Sequence, residues 1–150
     1  MKKRILTILT VLISAFTFAC DCKEINPIME FYSSEYVFEG KIISKIYAKD
    51  SLTYKITFDI SKHYKNGDFP EKLEFEVFSK GRFNSEGNYV GKGSDCDSYP
   101  EKDETWLIYA KSYKGKLYFP SICSNSKNLD YREIRMNEQR ILNNGKNFNL

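Results

Sequence analysis

Histidine is almost missing from this chain of 150 residues: His63 stands alone. A zinc site built from histidines is therefore excluded, and a cysteine nucleophile has at most one imidazole to act as its base. His63 falls at the end of an expected strand and reads as a solvated surface residue. No Gly-rich phosphate loop and no Ser-His-Asp arrangement occurs, so no enzymatic activity and no cofactor are expected. Past residue 19 no stretch is long and apolar enough to span a bilayer. Internal repeats, linkers and low-complexity tracts are missing too, which favours a single domain.

What the chain does have begins at its N-terminus. Lys2, Lys3 and Arg4 form a positive region, Ile5 to Phe18 an apolar run, and Thr17 and Ala19 are small. This is the pattern of a cleaved secretory signal over residues 1–19, with the mature chain starting at Cys20. The signal's three charged residues are all basic. Removing them from the 23 Lys plus Arg leaves 20 against 20 Asp plus Glu. The mature chain has no net charge, and a nucleic-acid partner is not expected. A second reading makes Ala19-Cys20 a lipoprotein cleavage site, with Cys20 acylated and the chain held at a membrane; Thr17 and Phe18 fit such a site loosely.

The four cysteines, Cys20, Cys22, Cys96 and Cys123, all lie in the mature part. An even count in an exported small domain reads as a disulfide framework, ahead of direct metal binding by Cys-x-Cys. A Cys20–Cys22 bridge is disfavoured by disulfide geometry. Both remaining pairings tie the N-terminal pair to Cys96 and Cys123. Asp95, Asp97 and Asp103 surround Cys96 without the spacing of a calcium loop, and read as a solvated acidic loop.

Asn26-Pro27 predicts a helix start, with a short helix to Ser33. Strands are expected over Tyr36 to Tyr47, with a bulge or bend at Gly40, and over Leu52 to Tyr64, where apolar and polar residues alternate. Further strands are expected over Leu73 to Ser79, Thr105 to Lys111 and Lys116 to Phe119. A turn at residues 65–68 and a long loop over 80–103 separate them. Leu129 to Leu142 carries the spacing of an amphipathic helix. This order suits a mainly β domain: a five-stranded Greek-key barrel of the OB type with flanking helices. Trp106 and the Tyr-rich strands could offer a stacking face for oligosaccharide or nucleic acid; at this spacing they read as core.

The order of motifs adds a resemblance. Cys20-Asp21-Cys22 is followed by Tyr36-Val37-Phe38-Glu39-Gly40-Lys41-Ile42, then Tyr64-Lys65-Asn66-Gly67. Cys96, Trp106-Leu107-Ile108-Tyr109-Ala110 and Ser121-Ile122-Cys123-Ser124 complete the series. Together they resemble the netrin-like module, and more closely the N-terminal domain of the tissue inhibitors of metalloproteinases, over nearly all of residues 20–150. The resemblance implies the pairing Cys20–Cys96 and Cys22–Cys123. It implies a secreted inhibitor whose partner is a zinc metalloprotease, with the Cys20 amine and carbonyl oxygen chelating the target's zinc. Asp21 would then enter the protease's specificity pocket, and Ser94 and Asp95 would line the same wedge. The chain departs from the family at Asp21, where the inhibitors carry a small hydroxyl residue. Their third disulfide and their second domain also have no counterpart. The alternative within the resemblance is a non-inhibitory binding module for some other extracytoplasmic protein.

Overall fold

The computed structural model describes residues 20–50, 52–65, 68–83, 86–130 and Leu142. The signal sequence and most of the expected Leu129–Leu142 helix lie outside the described residues, as does the centre of the turn at 65–68. Helix α1 spans Pro27–Ser33, starting where Asn26 Oδ1 accepts the Ile28 N–H at 2.9 Å. This is the expected cap, with proline placed where its missing N–H has no helical partner to lose.

Among the described residues nine strands follow: β1 Tyr36–Tyr47, β2 Thr53–His63, β3 Lys72–Phe78, β4 Arg82–Phe83, β5 Tyr89–Val90, β6 Thr105–Ala110, β7 Ser112–Tyr113, β8 Lys116–Leu117 and β9 Lys127–Asn128. The main sheet is antiparallel, in the order β3-β2-β1-β6-β9. β1 is its long central strand, and its register against β2 shifts at Glu39/Gly40 and again at Ile42/Ser44. Gly40 is required at the first shift. A Cβ there would sit 2.9 Å from the Asp59 carbonyl oxygen and 3.3 Å from the Phe38 ring. The bulges bend β1, so Ile46, at the same parity as Phe38 and Ile42, is exposed while those two are buried.

The bend gives the sheet a concave side filled by Phe38, Ile42, Ile56, Phe58, Phe75 and Ile108, with Trp106 and Phe119 packed at its margin. Phe38, Phe58 and Phe75 meet edge-on or tilted at centroid distances of 5.4–6.1 Å. The opposite face of β1 and β6 buries a second cluster of Phe31, Val37, Tyr64, Leu107, Tyr109 and Leu142. β6 thus reads as a continuous apolar run because both of its faces are covered.

The sheet is not closed into a barrel. Its fifth strand is Lys127–Asn128 in place of the expected Lys116–Phe119. Lys114 and Gly115, with φ of 51° and 74°, form a tight turn that folds β8 back on β7. The segment after β8 then meets the free edge of β3 at one parallel bridge, Glu76 to Tyr118, where the Phe119 N–H donates to the Glu76 carbonyl at 3.1 Å. The expected loop 80–103 contains the short β4–β5 pair. Among the described residues no helix is long and apolar enough to cross a membrane.

Candidate functional site

Residues 20–26 form an arm without helix or strand, fastened at intervals to two loops. Cys20 is bonded to Cys96, 76 residues away, and Cys22 to Cys123, 101 residues away. This is the pairing that the resemblance implies. The Cys22 N–H also donates to the Cys20 carbonyl oxygen at 3.1 Å, which turns the arm between its two anchors.

Each loop also has local bonds of its own. In the first, the Asp97 carboxylate accepts the Ser94 N–H at 2.6 Å and the Ser94 hydroxyl at 3.1 Å. Ser94 Oγ accepts the Cys96 N–H at 3.2 Å, and the Tyr99 hydroxyl donates to the Ser94 carbonyl. These are the local side-chain-to-backbone bonds that let Ser and Asp build turns. In the second, Ser121 Oγ accepts the Cys123 N–H at 3.3 Å. The two loops join where Asp97 bridges Ser121 and the Ile122 N–H donates to the Cys96 carbonyl at 3.2 Å. One corner therefore holds all four cysteines.

The candidate residues named from the sequence fall as follows. Cys20 is half-buried, and Asp21, Ser94 and Asp95 are exposed. Ser94 and Asp95 belong to the loop bonded to Cys20, so chain connectivity brings them to the arm. The Ser94 hydroxyl is committed to its turn, whereas Asp21 and Asp95 have no hydrogen-bond or ion-pair partner among the described residues. The three loop aspartates do not converge. Asp97 caps the turn, and Asp103 pairs with Lys41 at 3.5 Å. Among the described residues no three His, Cys, Asp or Glu side chains form a metal-ligating group.

Glu30 is part of this corner and was not among the sequence candidates. It is 5% exposed on α1. Its carboxylate accepts the Ser124 hydroxyl at 2.8 Å, the Asn125 N–H at 2.9 Å and the Asn125 amide group at 2.6 Å. Asn125 Nδ2 also donates to the Ile25 carbonyl at 3.1 Å. Through Asn125, Glu30 fastens the far end of the arm to the loop that holds Cys123. A cleft of about 600 Å³ runs between the arm and residues 122–125.

His63 is placed differently from the sequence expectation. It is half-buried, stacked on Phe69 at 4.9 Å and 23°, and burial lowers its pKa. The loop between β2 and β3 folds back over the strand end and covers it. Trp106 is half-buried against Phe119, with Nε1 donating to Glu104 at 2.9 Å, as a residue at the edge of the core. No family model matches the chain, and no curated protein matches it.

Proposed function

We propose that the chain is an exported inhibitor of zinc metalloproteases, without catalytic activity of its own, acting through the released N-terminus of Cys20 on an OB-type barrel scaffold. The observation that carries this reading is the double covalent clamp of an otherwise irregular arm, Cys20 to Cys96 and Cys22 to Cys123. Cleavage after Ala19 frees an α-amino group with a pKa near ~8, so the neutral form needed for metal ligation is accessible at neutral pH. Together with the Cys20 carbonyl oxygen it makes a five-membered chelate for the coordination position that a catalytic zinc keeps open. The oxygen accepts one bond from the Cys22 N–H, and its second lone pair remains for the metal. The contact between the segment after β8 and the free edge of β3 supports the barrel reading of the scaffold.

Asp21 narrows the target. An exposed carboxylate following the chelating residue loses its hydration on entering a pocket, and an apolar pocket gives nothing back. The fitting protease has a polar or basic pocket there. The Cys20 sulfur is engaged with Cys96, which argues for this reading over a lipid-anchored module, since thioether acylation needs that sulfur free.

The test uses the oxidised mature protein beginning at Cys20, first checked by intact mass and N-terminal sequencing. A panel of zinc proteases is titrated with it, with a version carrying one extra alanine before Cys20, and with Asp21→Thr. The expected result is inhibition of at least one protease by the native N-terminus, weakened at least about 100-fold by the extra residue, with Asp21→Thr shifting preference toward apolar pockets. Inhibition by neither the native chain nor Asp21→Thr overturns the reading.

A further inference from the structure

A second cleft, of about 320 Å³, opens at the end of the sheet where β1 turns into β2; its lining includes Lys45, Tyr47, Tyr54, Lys80, Tyr99 and Glu101. Its size is that of a small-ligand site. The floor is built around Lys45, whose side chain is only 11% exposed. Its ammonium lies 2.8 Å from Glu101 Oε1, 3.3 Å from the Pro100 carbonyl oxygen and 4.4 Å from the Tyr54 ring centroid. Tyr47 packs on Tyr54 at 5.2 Å and 42°, yet stays 50% exposed, so aromatic surface is held at the rim. Tyr99 lies across the cleft, with the Lys80 ammonium 5.9 Å from its ring. Lys80 is exposed and has no ion pair among the described residues.

Three features of this arrangement define a ligand. The exposed Tyr47 ring favours a ligand with a flat C–H face, because the π surface is the negative side of the ring. The lysine–glutamate pair at the floor is fixed by its neighbours, and the half of Glu101 that faces solvent is an acceptor for hydroxyl groups. The charge count within the cleft is two ammonium groups against one carboxylate, and the excess cation is Lys80. A hydroxylated ring bearing one carboxylate meets all three. We propose that this cleft binds one unit of an acidic saccharide, a uronate, with the sugar face on Tyr47 and its carboxylate at Lys80. The site is separate from the Cys20 corner and independent of protease inhibition.

Calorimetric titration of the oxidised mature protein with galacturonate, glucuronate and mannuronate tetramers tests the proposal, with cellotetraose as the neutral control. At least one uronate binds, and cellotetraose binds at least about tenfold more weakly. Tyr47→Ala and Lys80→Gln, both solvent-facing changes, each weaken uronate binding about tenfold, while the circular dichroism spectrum is unchanged. Raised salt weakens the wild type more than Lys80→Gln. The proposal is overturned if no uronate binds, if cellotetraose binds equally well, if neither substitution changes the affinity, or if a single-stranded oligonucleotide displaces the saccharide.

Discussion

Replacing Glu30 by alanine tests whether the cysteine corner has a brace besides its disulfides. The carboxylate receives three donors, from the Ser124 hydroxyl, the Asn125 backbone and the Asn125 amide group. Hydrogen bonds to a charged group contribute roughly 1.5–3 kcal/mol each, but the three do not simply add here. The Ser124 hydroxyl keeps Ser126 Oγ as a partner at 3.0 Å, and Asn125 Nδ2 keeps the Ile25 carbonyl. The Asn125 N–H keeps none that the structure displays. The loss is therefore the one bond whose donor is stranded, ~1–3 kcal/mol, plus a fraction of the other two, or about 3 kcal/mol in all. Glu30→Gln retains an oxygen for both Asn125 donors and reverses only the bond to Ser124, a cost of about 1 kcal/mol. The assay is urea unfolding at pH 7 with disulfides intact, together with hydrogen exchange at the Asn125 amide. An alanine variant within about 0.5 kcal/mol of wild type, with Asn125 still protected, would refute the reasoning.

The disulfides and the lone histidine carry the remaining predictions. Removing Cys22–Cys123 as a paired alanine variant lowers stability by up to about 4–5 kcal/mol, and removing Cys20–Cys96 differs from it by only a few tenths, because the loop-entropy term grows as the logarithm of length. A double-mutant cycle couples Glu30→Ala to loss of the Cys22–Cys123 bridge and leaves it additive with loss of Cys20–Cys96; equal coupling to both bridges contradicts the placement of Glu30 beside Cys123. Burial lowers the His63 pKa below its ordinary 6.5, so the unfolded chain takes up this proton first as pH falls. The contribution of His63 to stability is complete above pH ~6.5 and is lost as pH falls through the lower folded value. Subtracting the pH–stability curve of His63→Gln isolates it, and a difference curve that is flat or rises toward acid would count against the burial account.

Alternation is legible where a strand buries a single face, and an unbroken apolar run where it buries both, as in β6. Tyr54, Ile56 and Phe58 alternate with Lys55, Thr57 and Asp59, and β2 follows that alternation. Helix α1 and β1 match their expected bounds for comparable local reasons: a cap with proline at one, a β-branched and aromatic run at the other. Closure of the sheet is the part that local pattern does not decide. Lys114 and Gly115 take left-handed backbone and reverse the chain, and the pairing that follows depends on contacts with β3 that no local pattern encodes. β9 is not legible in the sequence because two polar residues between Ser126 and Leu129 carry no periodicity. The pairing of the cysteines came from resemblance, since counting alone left two options. Glu30 was invisible for a physical reason: a glutamate between Met29 and Phe31 is an ordinary helix residue, and only the tertiary approach of Ser124 and Asn125 makes its carboxylate a buried anchor.

The arm and its anchors bear on any partner this corner meets. Ordering the backbone of one residue costs about 1–2 kcal/mol, so a free segment from Cys20 to Asn26 would lose a large part of its binding energy on being fixed. Here the segment is held at Cys20 and Cys22 by sulfur, at Ile25 by Asn125, and at Asn26 by its role as the α1 cap. The ordering is completed when the chain folds and oxidises, so a partner meets a shape already set. Within that fixed frame Asp21 lies directly between the two bonded cysteines and is exposed, as are Lys23 and Glu24 further along the arm. On the proposed inhibitor reading, Asp21 is the charge presented next to the chelating residue, and the chemistry of the pocket that receives it sets which protease the corner selects.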